Sequence, residues 1–235
     1  MKLDGKIALI SGASRGIGRQ IALTFAANGA HIVAGGRNLP VVSALIDEIR
    51  ALGGQGTPVL LDVTDNEQVE NATRDTIASL GQIDILVNCA GVIIYDTPVW
   101  KTTIEEWDSM MQVNLRGTFL CCRSVVPHMI RQQSGTIINI ASSSARMADD
   151  DLGPYTASKW GVAGYTTSLA RSVRPHGIPV NGLNPAWVDT DMSRAFIPEG
   201  DAEWSTPTEI SNAALYLATD APRDMTGQFL DIFGS

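Results

Sequence analysis

Residues 6–18 read KIALISGASRGIG, and this stretch decides the fold. Lys6–Ser11 is an apolar run of strand length. From Arg15 to Asn28 the apolar residues Ile17, Ile21 and Phe25 recur at helical spacing, so a strand turns directly into a helix. In the turn, Gly12 permits a sharp reversal and Gly16 lets backbone come close to a pyrophosphate. Gly18 lets the helix pack tightly on the strand. The helix N-terminus offers unpaired N–H groups and a partial positive charge to an anion. The spacing is G-x-x-x-G-x-G rather than the commoner G-x-G-x-x-G, and a plain strand-to-helix turn is the alternative reading.

Outward from this turn, apolar strands alternate with amphipathic helices. Strands are predicted at 31–34, 57–61, 83–88, 136–141, 178–183 and 228–232. Helices are predicted at 39–52, 66–80, 154–173 and 208–218. Residues 104–132 read as one long helix bent near Gly117 and disturbed by Pro127. Strict alternation predicts an α/β fold, one doubly wound parallel sheet of about seven strands with helices on both faces. Residues 1–235 are expected to form one dinucleotide-binding domain. In such sheets ligands lie at the carboxyl ends of the strands.

The bulk composition excludes several classes. A net charge of −8 opposes nucleic acid and anionic membrane surfaces. No apolar stretch reaches spanning length, and the N-terminal run is too short for a secretory signal. Cys89, Cys121 and Cys122 lack framework spacing and read as reduced thiols. His31, His128 and His176 are scattered and suggest no metal. A cytoplasmic location follows as the expectation.

Two arginines bear on the choice of dinucleotide. An NAD site usually carries Asp or Glu just after the second strand, against the ribose 2′-hydroxyl. Here that strand ends Ala34-Gly35-Gly36-Arg37. With Arg15, Arg37 could hold a 2′-phosphate, so NADP(H) is expected over NAD(H). The alternative is that both are solvated surface charges.

Pro154-Tyr155-Thr156-Ala157-Ser158-Lys159 opens a helix, and Tyr155 and Lys159, four apart, share a face. An ammonium beside a phenol favours the phenolate, so the pair could serve as general base or acid for an alcohol or carbonyl. The preceding strand ends at Ser142, whose hydroxyl could hold a substrate oxygen.

Taken in order, SGASRGIG, LDV after strand three, NCAG after strand four, Asn114 in VNLRG, Ser142, Tyr155, Lys159 and NPAWVDTDM make the chain resemble the short-chain dehydrogenase/reductase family along nearly its whole length. The resemblance implies an NADP(H)-dependent oxidoreductase of alcohols and ketones, with Tyr155 as acid/base, Lys159 tuning it and binding ribose, and Ser142 holding the substrate oxygen. Asn114 would keep a bend in its helix and anchor a relay water. Gly12, Ser14, Arg15, Gly16, Ile17, Gly18 and Arg37 would hold the phosphates. Asp62 and Val63 would meet the adenine, Asn88, Ala90 and Gly91 would form the floor, and Val188 and Thr190 would hold the nicotinamide end. Read without the family, Asn114 is an ordinary helix-surface amide and Asp62 a turn or cap residue.

SGASRGIG, Arg131 and Arg171 also resemble the 3-oxoacyl thioester reductase branch. A homo-oligomer, dimer or tetramer, is implied. Several features depart from the family. Cys89 replaces an asparagine and reads as a small buried side chain. Ala186 replaces a glycine and would be strained at positive φ. The substrate lid, 191–207, is short, and the chain ends at DIFGS without the usual tail. Ile93, Ile94, Tyr95, Met147, Trp187 and Phe196 could wall an apolar pocket or be ordinary core. Asp149-Asp150-Asp151 reads as a solvated loop. The alternative function is a cofactor-binding regulator or scaffold with little turnover.

Overall fold

The computed structural model describes residues 1–95, 97–148, 150–197 and 204–233. One parallel sheet has the order β3-β2-β1-β4-β5-β6-β7. The strands are β1 (Ile7–Ser11), β2 (His31–Gly36), β3 (Gln55–Leu60), β4 (Ile85–Asn88), β5 (Thr136–Ile140), β6 (Val180–Pro185) and β7 (Phe229–Ile232). Strand order reverses between β1 and β4, which opens a crevice at their carboxyl ends. Ser11 sits there, paired in register with both Gly35 and Asn88.

Both sheet faces are covered. On one side α1 (Gly16–Ala27), α2 (Leu39–Ala51) and α8 (Pro207–Thr219) bury Ile21, Phe25, Val42, Ile46 and Ile210 against Ile10 and Ile32. On the other, α3 (Asn66–Leu80), α5 (Gly117–Gln132) and α6 (Gly153–Val173) bury Val69, Cys122, Val125 and Val173 against Leu9 and Leu86. Burial on both faces explains why the strands read as continuous apolar runs instead of alternating ones. No helix among the described residues is long and apolar enough to cross a membrane.

The helix predicted over 104–132 is broken in character but not in path. It comprises α4 (Ile104–Met110), a π-helical turn at Met111–Arg116, and α5. The change of winding falls at the π turn, just before Gly117. Pro127 lies inside α5 without ending it. It is exposed, so water can take the Arg123 carbonyl that it leaves unbonded. The short α7 (Asp191–Arg194) had no periodicity to announce it.

Helix starts differ in a way that matters for the site. Asn38, Asp65, Thr103 and Thr206 cap α2, α3, α4 and α8 through their side chains, the last two as capping boxes with Glu106 and Glu209. At α1 the N-cap is Arg15. It makes no side-chain cap, and no acid lies in the first turn. The N–H groups that open α1 therefore face the crevice without an internal acceptor.

Candidate active site

The β1–α1 turn is built by its glycines. Gly12 has φ +70, and a Cβ there would stand 2.7 Å from the Ala90 backbone. A Cβ on Gly18 would stand 2.3 Å from the Gly12 carbonyl oxygen. The turn thus brings α1 against its own strand and against the loop after β4. The Ser11 hydroxyl pins that loop by accepting from the backbone N–H of Cys89 at 3.2 Å and of Ala90 at 3.4 Å. The sequence reading missed this role of Ser11, although a polar residue closing an apolar strand was a signal for it.

These elements border a cleft of about 640 Å³ at the strand carboxyl ends. Every predicted site residue lines it except Asn88 and Asn114. Arg15 and Arg37 lie exposed at one end and have no ion-pair partner among the described residues. Asp62 and Val63 line the same end. One oxygen of Asp62 accepts from the Thr64 N–H and hydroxyl at 2.9 and 2.8 Å, while the cap of α3 is Asp65. Asp62 is thus a turn former that also borders the cleft.

Asn88 departs from the floor position expected of it. Its side chain turns into the sheet, where Nδ2 donates to Asn139 Oδ1 at 2.8 Å and to the Cys122 sulfur at 3.3 Å. Asn139 in turn donates to Thr166 Oγ1 at 2.8 Å. Alternation along β4 puts Asn88 on the α5–α6 side, so of the three residues expected at the floor Ala90 and Gly91 line the cleft and Asn88 does not. The chain of amides fixes α6 to β4 and β5, beneath the residues that α6 presents to the cleft.

On α6, Lys159 is 5% exposed, donates to the Ile140 carbonyl at 3.0 Å, and lies 5.5 Å from the centroid of the Tyr155 ring. Burial pushes its ammonium down to about 8. Ser142, extended and buried, leaves β5 beside them and accepts from the Ser144 N–H at 3.1 Å. Tyr155, Lys159 and Ser142 all border the one cleft. Asn114 stands behind it in the π turn, 1% exposed, which rules out a surface amide. Its side chain accepts from Val92 N–H at 2.8 Å and donates to the Val92 carbonyl and to Ser158 Oγ, each at 2.9 Å. It clamps the loop that carries Gly91.

The remaining expectations resolve individually. Cys89 lines the floor, and burial drives its thiol up to about 12, as a packing side chain rather than a nucleophile. Ala186 is not among the residues at positive φ, so no strain arises there. Ile93, Tyr95, Met147 and Trp187 border the cleft. Ile94 does not, and Phe196 stacks on Tyr95 instead. Asp150 and Asp151 are exposed, and Asp149 lies outside the described residues. Of the segment 191–207, residues 198–203 also lie outside them. Its described parts are tied down by Ser205, which bridges Val188, and by Arg194, whose Nη2 donates to Asp189 Oδ2 at 2.8 Å. The described residues contain no cluster able to hold a metal.

The cleft fits a dinucleotide on the chain's own features: glycines where a Cβ would collide, an uncapped helix start, and two unpaired arginines at one end. Comparison with known proteins agrees. The profile described as short chain dehydrogenase matches residues 6–200. The chain is 35% identical to a 3-oxoacyl-acyl-carrier-protein reductase of Thermotoga maritima over 244 aligned positions, covering 100% of this chain and 98% of that protein. It is 36% identical to the Escherichia coli enzyme of the same name, covering 100% and 98%. Among solved structures, a gluconate 5-dehydrogenase from Burkholderia cenocepacia in complex with NADP and tartrate superposes with a TM-score of 0.94 at 34% identity, covering 99% of this chain and 95% of that one.

Proposed function

The chain belongs to the short-chain dehydrogenase family, the branch that includes the 3-oxoacyl-acyl-carrier-protein reductases, and from that premise we propose that it is an NADP(H)-dependent carbonyl reductase or alcohol dehydrogenase working through Ser142, Tyr155 and Lys159. As a member of this family it is an NAD(P)-dependent oxidoreductase of CH–OH and C=O groups. The whole chain serves as one dinucleotide-binding domain with a short strap at 191–207.

When bound, the dinucleotide supplies or accepts the hydride. The protein handles the proton and the position. In the reducing direction Tyr155 gives its phenolic proton to the carbonyl oxygen while Ser142 donates a hydrogen bond to that oxygen. Lys159 keeps a positive charge beside the phenolate that results. Asn114 positions the Gly91 loop against the cofactor floor. Gly12, Ser14, Gly16, Ile17 and Gly18 cradle the pyrophosphate on the start of α1. Arg15 and Arg37 take the 2′-phosphate, Asp62 and Val63 the adenine, and Ala90, Gly91, Val188 and Thr190 the nicotinamide end.

One observation carries this reading: a phenol, a buried ammonium and a serine hydroxyl border the same cleft as an uncapped helix start. That combination gives no support to a binding-only regulator or scaffold. Exposed Trp107, Phe119 and Trp160 on the α4–α6 side support a homo-oligomer, dimer or tetramer. Three unpaired cysteines support a cytoplasmic setting. The decisive assay follows NADPH absorbance with a panel of ketones, with Tyr155→Phe as control. Turnover lost by about 10²- to 10⁴-fold in the variant is expected. Tight NADPH binding without turnover of any ketone would refute the proposal.

A further inference from the structure

The substrate half of the cleft differs chemically from the dinucleotide half. Its wall is Ile93, Tyr95, Met147, Leu152, Trp187 and Met192. Tyr95 and Trp187, from the loops after β4 and β6, stack with centroids 6.1 Å apart and planes 26° apart. Phe196, just past α7, stacks on Tyr95 at 3.5 Å. The stack joins three separate chain segments: Tyr95 and Trp187 border the cleft, and Phe196, which does not line it, braces Tyr95.

Charge is distributed against anions there. Among the described residues, the cations that border the cleft are Arg15 and Arg37, at the adenosine end, and Lys159, already committed to the Ile140 carbonyl and Tyr155. Asp191 borders the cleft beside Met192. Asp150 and Asp151 lie in the turn between Met147 and Leu152, both cleft residues. The arginines closest in sequence to this wall, Arg146 and Arg194, are paired with Asp231 and Asp189 and do not border the cleft. A carboxylate placed against the wall would lose water and gain no counter-charge. A polyol laid on that wall would bury hydroxyls against Ile93, Met147, Leu152, Trp187 and Met192, which offer only the Trp187 N–H as a donor.

We propose that this site takes an uncharged ketone, or the matching secondary alcohol, bearing an aromatic substituent packed against the Tyr95–Trp187 wall, and that it rejects carboxylated and polyhydroxylated substrates. This rests on the hydride-transfer reading above and names its substrate class. In reduction the C=O π bond breaks, hydride from NADPH forms the new C–H bond, and the Tyr155 proton forms the O–H bond.

The test uses three probes: phenyl methyl ketone, its para-carboxylate and a 5-keto sugar acid. Binding to the NADP⁺-loaded protein is read by ligand-observed NMR, and reduction is read separately with NADPH. The neutral ketone should bind at least about tenfold more tightly than either anion and show a kcat/KM at least about tenfold higher. Met147→Lys, at a half-exposed wall position, should narrow the ratio between ketone and para-carboxylate by about tenfold. Equal or tighter binding of an anion, or preferred reduction of one, overturns the substrate class and leaves the hydride-transfer reading standing. NADP⁺ binding with no reduction of any probe or of the wider ketone panel overturns both.

Discussion

The Lys159 ammonium lies 5.5 Å from the centre of the Tyr155 ring and is held there by the Ile140 carbonyl. Position and charge therefore come from different places. The strand β5 fixes where the nitrogen sits, and burial sets how readily it keeps its proton.

That burial has a measurable cost. Lys159 titrates near 8 in the folded protein and at 10.5 in the unfolded chain. Below about 8 both states bind the proton, and the full penalty of charging a buried amine is present. Between the two values only the unfolded chain holds it, so stability contributed by this site rises with pH and levels off above 10.5. The swing is about 3 kcal/mol. Urea denaturation should find Lys159→Met more stable than the parent at pH 7, with the gap closing towards pH 10.5. A gap independent of pH would contradict it.

Arg37→Asp should move dinucleotide preference. Losing charge-assisted bonds to a 2′-phosphate, and adding repulsion, should weaken NADP⁺ by about 10- to 100-fold. NAD⁺ binding should hold within about threefold or tighten. Titration calorimetry with both dinucleotides decides the matter, and an unchanged ratio would show that Arg37 does not read the phosphate.

Gly18→Ala and Gly164→Ala should have opposite effects. At Gly18 a Cβ would stand 2.3 Å from the Gly12 carbonyl oxygen, whereas at Gly164, exposed on α6, nothing lies within 4 Å. The first should cost about 1–3 kcal/mol and weaken dinucleotide binding. The second should stabilise by about 0.5–1 kcal/mol through helix propensity. Thermal melts of the two variants, with and without NADP⁺, provide the comparison.

Asn114→Ala removes the partners of both backbone groups of Val92. Leaving such groups unpaired costs about 1–3 kcal/mol each. The variant should lose stability and raise the KM for NADPH, because the Gly91 loop is released. Asn114→Asp keeps the acceptor for the Val92 N–H and should fall between Asn114→Ala and the parent. Chemical denaturation and steady-state kinetics on the three proteins test this.

Much of the architecture was legible because burial on both sheet faces writes continuous apolar runs, and each run ended near a glycine or polar residue. Strand ends shifted by one to two residues where a polar residue or glycine continues the ladder, as at Gln55 and Gly36. The site residues on α1 and α6 could be read from local spacing. What could not be read depends on direction in three dimensions. Asn88 lies next to a cleft-lining segment, yet the pleat of β4 turns it inward to Asn139. Asn114, in the π turn, bonds to Val92, 22 residues away, and no periodicity encodes that contact. The contact of Phe196 with Tyr95 likewise joins segments about a hundred residues apart.

Cys89, Cys121 and Cys122 are all free, and burial lifts each thiol far above neutral pH. Maleimide dyes react with thiolates, so the native sulfhydryls should stay dark to labelling near pH 7. A cysteine installed at exposed Ala195, beside α7, would then be the single attachment point for a fluorophore. Against that background the segment's answer to an arriving substrate would be readable one molecule at a time.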